Sequence, residues 1–134
     1  MALSGVAVAM TVVLTASPPI AAQLNPRIGP ANEDAYRDVL DARNWRNPKI
    51  VVFAEGVQVT AEGTTRSKPV TLAALRKFLM DLPVAAWPYG RVIAVSYNHL
   101  LPVPYERYQS RMSRTGEQVK AILKELQITA EFWP

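Results

Sequence analysis

Apolar residues along this chain recur first at helical spacing and later in short unbroken runs. From Asn32, a residue type that caps helices, Glu33 and Asp34 fall in a first turn, where carboxylates favour the positive end of the backbone dipole. Ala35, Tyr36, Val39, Leu40 and Arg43 follow at helical spacing, with Asp34, Asp38 and Asp41 opposite them. This predicts a helix of about 13 residues, stopped by Asn47-Pro48 because a residue before proline disfavours the helical region. The run from Ile50 to Ala54, the turn residue Gly56 and the alternating "VQVTA" predict a hairpin. "EGTTRSKPV" can turn again and return a short edge strand ending at Val70.

Thr71 caps a second predicted helix whose Leu72, Leu75, Phe78, Leu79 and Leu82 form one stripe, and Pro83 ends it. Val92 to Val95 form a second run that is apolar on both faces. Strands of that kind belong in the middle of a sheet, with cover on both sides. Beyond the proline-stiffened "SYNHLLPVP", Tyr105, Tyr108 and Met112 are helically spaced, but a glycine inside a helix costs about 1 kcal/mol. Gly116, with Thr115 and Gln118 in capping-box spacing, therefore predicts a fresh helix start, with Val119, Ile122, Leu123 and Leu126 as its apolar stripe. "ITAEFW" alternates Ile128, Ala130 and Phe132 against Thr129, Glu131 and Trp133, the pattern of a last strand buried on one face. The expected class is α+β: a small ββαβαβ sheet domain with helices packed on it, preceded by one extra helix that covers the second sheet face.

The segment before this pattern changes the picture of where the domain works. Residues 1–22 carry no charge, run apolar from Ala2 to Leu14 and break at Ser17, Pro18 and Pro19. That is the order of features in a secretory signal peptide cut ahead of Gln23, although no basic residue precedes the apolar run. A membrane helix needs about 20 apolar residues, more than stand before the break, so no stable span is expected after cleavage. Residues 23–31, with two prolines and a glycine, read as a tether, and residues 32–134 as one domain. A chain of 134 residues, 49% hydrophobic and 19% charged, fits one globular core. With no cysteine, an exported domain of this kind must rely on that core without disulfides.

Candidate chemistry is sparse. His99 is the single imidazole, so a small envelope hydrolase would have to use it with a carboxylate such as Asp81 or Glu106. The acids Asp34, Asp38 and Asp41 read as a solvated helix face, not as a glycosidase pair. One histidine and scattered acids match no zinc or calcium spacing, and the glycines form no phosphate loop, so neither metal nor cofactor is expected. The aromatic and basic residues Trp87, Tyr89, Arg91, Tyr105 and Arg107 are the predicted contact patch. With Arg111 and Arg114, the basic stretch suits an anionic envelope polymer or an envelope protein, and export argues against nucleic acid. A free sheet edge or sheet face offers a route to a homodimer.

Residues 47–133 resemble the periplasmic domain of the ExbD/TolR biopolymer-transport family. In that resemblance "KIVVFAEGVQVTA" is the opening hairpin, "VTLAALRKFLMDL" the first sheet-packed helix, "RVIAVSYN" the middle strand and "GEQVKAILKELQITAEFW" the closing helix and strand. It implies a small α+β sandwich at the cell envelope. The family couples proton flow through an acidic residue in a membrane helix. Residues 1–22 contain no acid, so that role does not carry over. The expected function is a secreted or periplasmic binding domain without catalysis, with the His99 hydrolase and a self-associating structural domain as alternatives.

Overall fold

The computed structural model describes residues 23–39, 41, 43–61, 68–99 and 105–134. The expected signal peptide, the turn at 62–67 and the proline-rich stretch at 100–104 lie outside the described residues. The fold is α+β, a five-stranded mixed sheet with three helices. In chain order these are α1 (Glu33–Tyr36), β1 (Lys49–Phe53), β2 (Gly56–Thr60), β3 (Lys68–Val70), α2 (Leu72–Met80), β4 (Val92–Tyr97), α3 (Tyr105–Glu125) and β5 (Thr129–Phe132). The strand order is β3-β2-β1-β4-β5. β1–β2 and β2–β3 are antiparallel, whereas β1–β4 and β4–β5 are parallel.

The two unbroken apolar runs sit where two-sided burial requires them. β1 and β4 are the inner parallel pair, with Ile50 opposite Val95 and Val52 opposite Tyr97. Strand alternation divides their side chains between two clusters. Ile50, Val52, Ile93 and Val95 join Leu75, Leu79, Val119 and Leu123 in the core beneath α2 and α3. Val92 and Ala94 point the other way, into a smaller aromatic cluster. α2 begins as its sequence predicts, with Thr71 Oγ1 accepting from the Ala74 N–H at 3.2 Å.

Three expectations are corrected. The helix predicted from Asn32 is a single turn, and Asn32 makes no side-chain cap. Asp41 Oδ1 instead accepts from the N–H groups of Arg43 and Asn44, closing a side-chain turn that competes with helix continuation. Residues 23–31 are packed onto the domain, with Leu24 and Ile28 buried in the helix-side core and Pro30 bridged to Arg91. α3 runs unbroken through Gly116, because Thr115 does not cap: its hydroxyl donates to the Ala54 carbonyl at 3.0 Å. Gly116 is buried against the Tyr97 ring, where a Cβ would overlap the ring edge, so its absent side chain secures the helix-to-sheet approach.

The two sheet edges differ. β3 is a three-residue strand carrying Lys68 and Pro69, features that discourage strand addition. β5 ends in Phe132, which is 49% exposed with the Lys120 ammonium over its ring, so the expected burial of Phe132 is not met. Trp133 is the ring that packs inward, against the aromatic cluster.

Gly90, at φ 82°, bends the chain into β4, and a Cβ there would overlap the Pro30 carbonyl. Gly90→Ala combines backbone strain with a clash against main chain, and is expected to cost about 2–4 kcal/mol in urea unfolding. A cost under about 1 kcal/mol would contradict this placement.

Candidate functional site

The sheet face away from α2 and α3 is covered at β4 and β5 by the segment leading into β1. Its anchor is Asn47, 2% exposed, immediately before Pro48 and β1. Asn47 Nδ2 donates to the carbonyls of Gly90 and Val92, both at 2.8 Å, and Oδ1 accepts from the Tyr89 N–H at 2.7 Å. One buried amide thereby fastens the start of β1 to the start of β4. The Trp45 indole N–H donates to the Pro48 carbonyl at 3.0 Å, which fixes that ring over the sheet.

Around Trp45 four rings meet. Its centroid lies 5.4 Å from Tyr36, 5.1 Å from Tyr89 and 5.4 Å from Trp133, at interplanar angles of 74°, 63° and 71°. Edge-to-face pairs of this kind contribute about 0.5–1.5 kcal/mol each beyond burial. The rings come from α1, the 44–47 turn, the 87–91 turn and the chain end, so the cluster is tertiary and has no local motif.

The outer side of the cluster is concave. A hollow of about 280 Å³ is lined by Glu33, Tyr36, Arg37, Trp45, Glu131 and Trp133. Glu131 and Trp133, two apart on and just past β5, point to the same sheet face. The Tyr36 hydroxyl donates to Glu131 Oε1 at 3.1 Å. Burial first, then the hydrogen bond and charge of Glu131, with a smaller push from Glu33, raise the Tyr36 pKa from 10.0 to about 12. The phenol therefore stays a donor across the working pH range and orients the carboxylate. Arg37 is held by Asp34 at 2.8 Å.

The predicted contact patch does not assemble. Trp87 and Tyr89, 4% and 6% exposed, are buried in separate clusters on the two sides of the sheet, because the turn ending at Gly90 swings one ring to each face. Arg91 is half-buried and reaches Gln127 Oε1 at 3.3 Å. Tyr105 and Arg107 are exposed on the first turn of α3. Arg111, in the same basic stretch, is engaged by Glu55 at 3.7 Å and lies over the Tyr108 ring.

His99 is exposed and lines a different hollow, of about 310 Å³, with Tyr97, Asn98, Tyr105 and Gln109 among its walls. Neither Asp81 nor Glu106 lines that hollow, and Asp81 pairs with Lys77 at 2.7 Å. Among the described residues no group of acids, histidines or cysteines is arranged to hold a metal ion. No helix among them is long and apolar enough to cross a membrane.

Sequence reasoning missed Tyr36, Trp45, Glu131 and Trp133 as one site. The available signal was the last strand, where a tryptophan and a glutamate share the face assigned to solvent. No family model matches the chain, and no curated protein or solved structure matches it either.

The raised Tyr36 pKa has a defined linkage. The folded state holds this proton more tightly than the unfolded one, so the contribution is fully present below about pH 10 and is lost as pH rises toward about 12. The stability advantage of the native protein over Tyr36→Phe is expected to be constant below pH 10 and to shrink above it in alkaline urea titrations. A difference that stays flat through that alkaline range would contradict the assignment.

Proposed function

We propose that this chain is an exported, non-catalytic binding domain of the cell envelope, and that its recognition surface is the concavity of Tyr36, Trp45 and Trp133 with Glu33 and Glu131. The observation that carries the reading is the combination of aromatic walls and carboxylates in one hollow. Binding sites are concave and carry placed polar groups that fix a ligand's orientation, and here Glu33, Arg37 and Glu131 stand beside the rings. Binding is favoured over catalysis because the described residues that line the His99 hollow include no carboxylate to orient an imidazole.

The envelope setting rests on residues 1–22, whose uncharged apolar run and proline break have the form of a cleaved export signal. It also rests on the resemblance of residues 47–133 to the ExbD/TolR periplasmic domain. In that reading the core is a ββαβαβ unit with β3 as an added edge strand and α1 as the preceding helix. The family's proton-coupling helix has no counterpart in residues 1–22, so the domain works by recognition alone, on an envelope component. The segment before β1 is then the functional addition, because it brings Tyr36 and Trp45 over the sheet.

Fractionation of cells producing the full chain tests both parts. The protein is expected outside the cytoplasm with Gln23 as its first residue, and retained on the isolated envelope fraction. Trp133→Ala is expected to lower that retention at least about fivefold, as loss of an aromatic anchor does, while His99→Ala leaves it unchanged. Full-length protein confined to the cytoplasm, or retention indifferent to Trp133→Ala, would contradict the reading.

A further inference from the structure

We infer that Gln23 is a modification site: the α-amine freed there on export closes onto the side-chain amide of the same residue and leaves a neutral pyroglutamyl lactam as the first residue. This rests on the proposed cut ahead of Gln23 and does not depend on the role of the hollow. The observation beneath it is a contrast between neighbours. Gln23 is exposed, and its amide has no hydrogen-bond partner among the described residues. Leu24, the next residue, is 5% exposed and belongs to the core beneath α2 and α3.

The chain that follows is fixed as well. Asn25 closes a turn, its carbonyl accepting from the Ile28 N–H and its Oδ1 from the Arg27 N–H, both at 2.9 Å. Ile28 is buried in the same core, and the Gly29 carbonyl accepts from the Arg91 N–H at 2.9 Å. Residue 23 is therefore the outermost position of an anchored segment, with its own side chain free to fold back. The reaction needs nothing the residue does not carry. The amine nitrogen attacks Cδ and closes a five-membered ring, the bond from Cδ to the side-chain nitrogen breaks, and ammonia leaves with the proton that the amine gives up. Closure within one residue has the high effective concentration of an intramolecular step. An α-amine ordinarily titrates near about pH 8, so an attacking fraction exists at neutral pH. The product serves the fold, because an aminopeptidase needs a free amine and trimming from this end would next take Leu24 out of the core. It also removes the one charge that processing would place beside that buried residue.

The test is the intact mass of protein purified from cells producing the full chain, followed by reductive methylation of its amines ahead of tryptic digestion. The expected mass is that of residues 23–134 less one ammonia, and the peptide ending at Arg27 is expected to carry no methyl group. Gln23→Ser cannot form the ring; its mature chain is expected at full mass with a methylated N-terminus, and to be shortened by a broad-specificity aminopeptidase that leaves the native protein intact. Mature protein that begins at Gln23 with a methylated amine, or native and variant chains trimmed alike, would overturn the inference and leave the export reading standing. A first residue other than Gln23 would overturn it together with the cut site. Full-length protein confined to the cytoplasm would overturn it together with the export reading.

Discussion

The buried amide of Asn47 is the contact on which the rest of this structure depends. Its three hydrogen bonds join the residue before β1 to the turn that leads into β4, across more than forty residues of sequence. Two of them satisfy buried backbone groups, the Tyr89 N–H and the Val92 carbonyl, and an unsatisfied group of that kind costs about 1–3 kcal/mol. The same turn is bonded on its other side to the N-terminal segment, through Arg91 N–H to the Gly29 carbonyl and Asn32 N–H to the Tyr89 carbonyl. A single side chain thus sets the register of the inner parallel pair and the path of the segment that covers the second sheet face.

The hollow proposed as the recognition surface follows from that placement. A sheet with helices on one face has a second face to bury, and here the cover is made by rings instead of a long helix. Rings stacked edge to face leave an angular outer surface, and β5 contributes Glu131 and Trp133 to it because the strand's alternate residues point that way. The hollow is therefore a product of how the second face was covered. Its two carboxylates, Glu33 and Glu131, distinguish it from the hollow at His99, whose described walls carry no acid.

Much of the fold was legible because it depends on local periodicity. The apolar runs at Ile50 and Val92 announced inner strands, Thr71 announced a helix start, and the stripe through Leu75 and Leu79 announced the face that packs on the sheet. Where the reading failed, a tertiary contact had overridden a local rule. Gly116 looked like a break and is a point of close approach to Tyr97; Thr115 looked like a cap and donates to Ala54. The helix from Asn32 gives way to a turn held by Asp41. The site was least legible, because proximity in sequence misled: Trp87 and Tyr89 are neighbours along the chain and lie on opposite faces, while Tyr36 and Trp133 are far apart along the chain and share one hollow.

The most direct measurement is the unfolding free energy of Asn47→Ala, followed in urea by far-UV circular dichroism for the backbone and near-UV circular dichroism for the rings. Loss of the amide strands the Tyr89 N–H and the Val92 carbonyl, so a cost of at least about 2 kcal/mol is expected, with the near-UV signal of the ring cluster diminished even before unfolding. A variant within about 1 kcal/mol of the native protein, with its near-UV spectrum intact, would show that the ring cover and the inner strand pair hold together without this contact.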